Sequence, residues 1–549
     1  MIWTSRLLLL FTINTLSAGL PLSIENSYNA LFNSNSLVHA TPHITNIIRK
    51  GAYELSKENK TKLINLGLQE RSGQLSVVKP NDLDQIYETN HFRLYYTFDG
   101  YDAVEDISYI TEMGNIFEQV YKFYSDTLGF NPPPLDPQND HNLYEIYVKA
   151  LPAFYFGVTY TTNSNISETA CASYIRMRNS YTSSQFSDHT EIENIKVTAV
   201  HEFFHAIQFG YNCYERLWLM ESTAVWSEDE LYNGINDHYR YMPSWFSNPD
   251  KAIDDESSHM YGSFIFFQYI DEHLGGPGTI KACWDKSHEL SNQVNDISFE
   301  AIDAALMSYN SSFEDALNRM RIANKILSDN INADPYTYNE SEGYKTVING
   351  PYQEYLIYEN ENTKIINNQS LDLYESIYYS VETNSPFQTT LIENNGNLTL
   401  TSIIKEKNKE DWSVRSGYTI NIDPEIGIEW ITLIISSIGR QNNNWDYSLK
   451  LEDGYSEDFT LYRPYPNPSI GGNLKIDLQV INQQKIYASI VDLLGREVWS
   501  SSDYYSIPES KTLIWNGLNT QGERVPSGIY FFIAKGYSEQ QSHKITLIK

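Results

Sequence analysis

A chain of 549 residues is long enough for several domains. Its formal net charge of −31, from 39 basic against 70 acidic residues, argues against nucleic acid and anionic membrane surfaces as partners. Hydrophobic residues at 41% and charged residues at 20% suit ordinary globular domains.

The N-terminus reads as a signal peptide, residues 1–19. Arg6 precedes an apolar run from Leu7 to Ile13, and Ser17-Ala18-Gly19 supplies small residues for cleavage. The run is too short to span a bilayer, and Tyr261 to Ile270, also apolar, is short and bounded by Asp271 and Glu272. The expected location is therefore outside the cell or on its surface, with no transmembrane span. Residues 20–90 are polar and weakly periodic, which fits either an N-terminal extension or a propeptide.

From residue 91 the pattern is mixed α+β. Phe92–Tyr96 reads as a strand, and Ile107, Ile110, Phe117, Val120, Tyr124 and Leu128 form the apolar stripe of a helix that Pro132-Pro133-Pro134 breaks. Strand-like runs follow at Tyr144–Val148, Phe154–Thr161 and Ser173–Met177. Asp136–Asn142 has alternate oxygen side chains but lacks the glycine and glutamate of a calcium loop, so it reads as a polar turn.

Thr190-Glu191-Ile192-Glu193 is a capping-box pattern. Ile192, Ile195, Ala199, Phe203 and Ile207 then recur at helical steps, with Gly210 as a stop. This helix carries His201-Glu202-Phe203-Phe204-His205. Residues four apart share a helical face, so the two imidazoles can grip one metal ion, with Glu202 leaning over it. Two buried structural histidines are the alternative. A second, very apolar helix follows in Leu217–Trp226, ending by Gly234, and Glu221 is its lone carboxylate. A buried carboxylate needs a partner, and a metal ion is one. Glu215, Glu228, Asp229 and Glu230 are the other acidic candidates; those after Trp226 read as surface or as support behind the ligands. Of the three cysteines, Cys171 and Cys213 flank the motif and are the best candidate pair, with three free buried thiols equally open.

His201-Glu202-Phe203-Phe204-His205-Ala206 followed by Trp218-Leu219-Met220-Glu221-Ser222-Thr223-Ala224 resembles the gluzincin branch of zinc metallopeptidases, with Ser222 where glycine is commoner. His91–Thr97, Ala172–Arg176 and His205–Tyr211 narrow the likeness to secreted bacterial members of that type, over roughly residues 90–330. The resemblance implies a zincin-like domain at 91–334 that holds Zn²⁺ through His201, His205 and Glu221 and hydrolyses protein or peptide substrates. Glu202 is then the general base for a zinc-activated water. It also implies an oxyanion donor, for which Tyr261 and His259 are candidates, and an edge strand along which substrate lies, for which Ser173–Met177 is the candidate.

Composition shifts near residue 335. Residues 335–455 are β-rich, with segments such as Ser376–Glu382 and Trp430–Ser436 and a hairpin signal at Asn395-Gly396, favouring a β-sandwich. In the last block Leu474, Ile476, Leu478 and Val480 alternate. Tyr465-Pro466-Asn467-Pro468, Val491–Arg496, Trp515-Asn516-Gly517, Gly522 and Val525–Tyr530 resemble the type A C-terminal sorting domain of the bacterial type IX secretion system, over 460–549. That implies a small immunoglobulin-like β-sandwich and the secretion machinery as partner. The expected fold class is multidomain: an α+β zincin-like domain, a β-sandwich and the sorting domain. Two other readings stay open, a non-catalytic surface adhesin on a peptidase scaffold and a zinc hydrolase of non-peptide substrates.

Overall fold

The computed structural model describes residues 21–548, apart from 35–36, 52–54, 72–73, 292–296, 360–362, 384, 394–395, 408, 411, 423–426, 439–443, 454–458, 471–472, 481–483, 506–508 and 537–539. Residues 1–19, expected to be a signal peptide, lie outside the described residues. The chain is multidomain, a mixed helical and β-sheet body followed by a region rich in β-sandwich.

The N-terminal body begins with helices α1 (Ile24–Asn33), α2 (Ala40–Lys50) and α3 (Lys57–Asn65) and a hairpin of β1 (Leu68–Arg71) and β2 (Gln74–Val77). Strands β3 (Gln85–Glu88) and β4 (Phe92–Tyr96), helix α4 (Ile107–Lys122), and strands β5 (Tyr144–Lys149), β6 (Gly157–Asn165) and β7 (Cys171–Arg178) follow. The five strands form one sheet in the order β3-β4-β5-β7-β6. The three central strands are parallel, and both edges run antiparallel to their neighbours. The candidate substrate strand Ser173–Met177 is therefore interior: β7 is paired on both sides, by β5 and β6, and the edge belongs to β6. The two strands are of similar length, and pairing order depends on contacts between segments that neither sequence carries by itself.

Alternation in the central strands divides the sheet's two faces. Ile146, Val148, Ile175 and Met177 join the main core with α4 and helix α5 (Glu191–Asn212). Tyr147, Tyr174, Val158 and Tyr160 point the other way, where Ile24, Leu31, Ile44, Ile47, Leu63 and Leu66 cover them. The weakly periodic 20–90 segment thus supplies a whole layer of the body. Its apolar positions are spread over three short helices, too few in each for a strong sequence signal.

Helix α5 starts at the expected capping box, with Thr190 Oγ1 and the Glu193 side chain bonding reciprocally, and runs two residues past Gly210. Gly210 is required by packing, since a Cβ there would lie 2.6 Å from Pro134. Helix α6 (Leu217–Tyr232) follows. Cys171 and Cys213 are bonded, tying β7 to the end of α5, and Cys283 is a buried free thiol. Closing a loop of sequence separation 42 restricts the unfolded chain by about 4 kcal/mol on a chain-entropy basis. Replacing both cysteines by serine should therefore lower the denaturant midpoint by a corresponding amount, read by urea unfolding.

Residues 354–452 form a sandwich of a five-stranded and a four-stranded sheet. Phe387–Glu393 and Leu398–Glu406 lie in different sheets, so the segment expected to make an Asn395-Gly396 hairpin instead crosses between layers. Asn395 is outside the described residues; Gly396 has φ +71°, the conformation that prompted the turn signal. The sandwich core, with Leu391, Leu433 and Leu449, is continuous with that of the N-terminal body. Residues 459–548 instead enclose a core of their own, including Leu474, Ile476, Ile490, Trp515, Phe532 and Ile545, between a three-stranded and a five-stranded sheet. Among the described residues, no helix is long and apolar enough to cross a membrane.

Candidate metal centre

Helices α5 and α6 bring His201, His205 and Glu221 to one point. The two Nε2 atoms are 3.1 Å apart. Glu221 Oε2 lies 3.4 Å from His201 Nε2, and its Oε1 lies 3.1 Å from His205 Nε2. All three side chains are fully buried.

The opposite side of each ring decides what these atoms offer. His201 Nδ1 is 2.6 Å from Glu228 Oε1, and His205 Nδ1 is 2.8 Å from Gln208 Oε1. The Gln208 amide is oriented by its Nε2, which donates to Met220 O and Thr223 Oγ1, so its oxygen must accept from His205. Both Nδ1 atoms then carry hydrogen and both Nε2 lone pairs face the Glu221 carboxylate. Three lone-pair donors meeting in a buried space fit a cation, and 3.1 Å between nitrogens is near the edge of about 3.3 Å expected for tetrahedral bonds of about 2.0–2.1 Å. Without a cation the cluster holds a proton. Burial works against the charged form of His201, but hydrogen bonds to Glu221 and Glu228 outweigh it and lift its pKa to about 10. Burial would raise Glu221, yet the charge of His205 and hydrogen bonds with both histidines draw it down to about 2.

Glu202 is fully buried on the same turn as His201. Thr41 Oγ1 donates to its Oε2 at 2.7 Å, and Thr159 Oγ1 lies 2.6 Å from the same oxygen. Oε1 has no hydrogen-bond partner. The carboxylate is thus held by one oxygen and presents the other. Gly157, at the start of β6, makes room: a Cβ there would come within 3.0 Å of Glu202 Cγ.

Glu228, one of the acidic candidates after Trp226, is 2% exposed and backs His201, in the support position rather than at the surface. Other residues at this site were not singled out in the sequence. From the N-terminal segment, the His39 ring stacks on His201 with centroids 4.1 Å apart. Its Nε2 is 2.6 Å from the Tyr241 hydroxyl and its buried Nδ1 has no hydrogen-bond partner. One His39 nitrogen lies within 4.8 Å of ligand atoms of both His201 and Glu202. Thr41 also receives the Thr159 backbone N–H at 2.8 Å, and Val38 bridges to Tyr155 just before β6. The available signal was the His39-Ala40-Thr41-Pro42-His43 pair of histidines four apart, both buried, at the N-cap and in the first turn of α2.

The two oxyanion candidates separate. Tyr261 stands beside the site, with its ring 5.4 Å from that of His39 and a buried hydroxyl that has no partner. Burial, reinforced by Glu221, keeps that phenol protonated. His259 turns away and stacks on Trp245 at 4.2 Å, because it sits two residues earlier on the one-turn helix His259–Gly262 and faces another direction. Glu215 is also remote, receiving Ser287, Ser298 and the Arg216 backbone.

No family model and no curated protein matches this chain. Among solved structures, PorZ, an essential bacterial surface component of the type-IX secretion system of Porphyromonas gingivalis, aligns at 14% identity over 27% of this chain and 22% of its own, with a TM-score of 0.14. Dimeric latent PorU from Porphyromonas gingivalis aligns at 14% identity over 30% of this chain and 18% of its own, with a TM-score of 0.16. A Parabacteroides merdae β-glucuronidase aligns at 11% identity over 32% and 27%, with a TM-score of 0.17. The chain spans less than a third of the length of each, and likenesses at these scores carry no argument about its chemistry.

Proposed function

We propose that this chain is a secreted zinc-dependent metallopeptidase, with His201, His205 and Glu221 as ligands and Glu202 as general base. The observation that carries the reading is the convergence of two imidazole lone pairs and one carboxylate beside a second carboxylate with a free oxygen. When bound, zinc supplies a polarised water and a Lewis acid for the scissile carbonyl. Glu202 holds the proton on Oε1, steadied through Oε2 by Thr41 and Thr159. Tyr261, with a neutral and unpartnered hydroxyl beside the site, is the candidate donor to a developing oxyanion. Proteolysis of an unfolded protein substrate, lost with a chelator and restored by zinc, tests this reading. A chain that binds zinc yet leaves peptide bonds intact would instead fit an adhesin or a hydrolase of another substrate.

The folded chain is in a closed state. Every ligand and Glu202 is sealed from solvent, and the Val38–Thr41 stretch occupies the space beside β6, where an extended substrate would pair. Entry of a peptide requires this stretch to move. The variant His39→Ala, which leaves Thr41 on Glu202, should raise kcat/KM severalfold on a protein substrate at unchanged zinc content. An equal or lower kcat/KM would place His39 among the machinery of the reaction instead.

Residues 460–549 are proposed to be the export address. Truncation before Tyr465 should leave peptidase activity intact in vitro while the protein accumulates inside the envelope of a host with type IX secretion. Cell fractionation showing normal export of the truncated chain would remove the assignment.

A further inference from the structure

Helix α6 runs about three turns beyond Glu221 and ends in a region crowded with carboxylates. Asp229 is 5% exposed, and its Oδ1 has no hydrogen-bond partner. Glu340 approaches from the turn that leads toward the sandwich, with Oε1 receiving Asn233 Nδ2 at 2.8 Å and Oε2 receiving the Tyr239 hydroxyl at 3.3 Å. Glu230, Asp271 and Glu272 stand around them. Carboxylates alone would mean little, since such clusters are common without an ion. The second observation is His238, which is 1% exposed and has no hydrogen-bond partner at either ring nitrogen. A buried imidazole with both nitrogens idle is costly. One His238 nitrogen, one Asp229 oxygen and one Glu340 oxygen all lie within 4.8 Å of one another. His238 Nδ1 is 3.8 Å from Asp229 Oδ1, too far for a hydrogen bond and near the separation of two atoms that share an ion.

We propose that Asp229, His238 and Glu340 bind a second divalent transition-metal ion, separate from the His201–His205–Glu221 centre. One imidazole and two carboxylates form a mixed nitrogen–oxygen set, which suits zinc, cobalt or manganese better than calcium, whose ligands are all oxygen. Solvent completes the coordination on the side where Glu340 is half-exposed. The surrounding electrostatics agree. Burial pushes the Asp229 carboxyl up to about 8, and every charged neighbour that contributes, Glu340, Glu272, Glu228 and Asp271, pushes it the same way. Burial likewise draws His238 down to about 4, which keeps the imidazole neutral with one nitrogen lone pair for a ligand role. The ion would join the end of α6, the Asp237–Tyr241 turn that carries the hydroxyl on His39, and the Glu340 turn. It would thereby hold the wall of the first site without entering its chemistry.

The test uses the full chain, stripped with chelator and reloaded with zinc, cobalt or manganese one at a time. Metal analysis should find two ions per chain in the unaltered protein, one in His238→Ala and one in Glu221→Ala. Thermal unfolding should rise in two steps as metal is added, and His238→Ala should lose one step. Glu340→Gln, at a half-exposed position that should tolerate change, is expected to weaken the second ion at least tenfold, read by competition with a chromophoric chelator. A single ion in the unaltered chain that disappears in Glu221→Ala would overturn the second site and leave the first standing. Two ions that persist in both His238→Ala and Glu340→Gln would overturn it as well. A melting shift produced by calcium but not by zinc, cobalt or manganese would overturn the metal class. Loss of one ion in His238→Ala with no change in Glu221→Ala would uphold this site while removing the first.

Discussion

Glu202→Gln is expected to keep its metal and lose turnover by about 10²–10⁴-fold, the range of a positioned general base. The amide is nearly the same size, and Thr41 and Thr159 still have an oxygen to donate to, so the local packing survives. What disappears is the oxygen that could take a proton. The measurement pairs kcat on a protein substrate with metal content and a melting curve. Undiminished proteolysis at equal metal content would sink the assignment of Glu202 and, with it, the peptidase mechanism.

Glu221→Ala should abolish binding at the His201 centre. It removes the only carboxylate among the three converging donors and leaves two buried imidazoles facing a void. Glu228→Ala separates ligand from support. Sequence spacing alone would have it keep the metal outright. The 2.6 Å contact to His201 Nδ1 instead predicts retention with affinity weakened about 10–100-fold, since such partners fix ring orientation and basicity. Zinc competition against a chelator distinguishes the two variants. Tighter binding in Glu221→Ala than in Glu228→Ala would exchange the roles.

The convergence of His201, His205 and Glu221 was legible in the sequence because its information is local. The capping box sets the start of α5, the i,i+4 spacing puts both imidazoles on one face, and a carboxylate in an apolar helix has few fates. Strands β4, β5 and β7 were legible for the same reason. What failed was pairing. That β6 rather than β7 forms the edge, and that Phe387–Glu393 and Leu398–Glu406 part into separate sheets, depends on contacts far apart in the chain. Thr41, Thr159, His39 and Tyr241 were invisible in the same sense: each is an ordinary residue until folding brings segments 118 and 202 positions apart into contact. Tyr261 and His259 show the limit from the other side, since two residues on one helical turn point into different surroundings.

The layer made by the N-terminal helices changes what unblocking the site can mean. Ile24, Leu31, Ile44 and Ile47 cover Val158, Tyr160 and Tyr174, while the same stretch of chain sends His39 and Thr41 round the β6 edge to His201 and Glu202. The blocking residues are thus the tip of a piece of scaffold. A single cut in the backbone would leave that piece glued in place by its apolar face, because stripping it off would expose the aromatic side of the sheet to water. Loosening is cheaper than loss: swinging only residues 37–39, which precede α2, opens the β6 edge while the helices stay seated and Thr41 stays on Glu202. The molecule is built less like a bottle with a stopper than like a door whose frame is part of the wall.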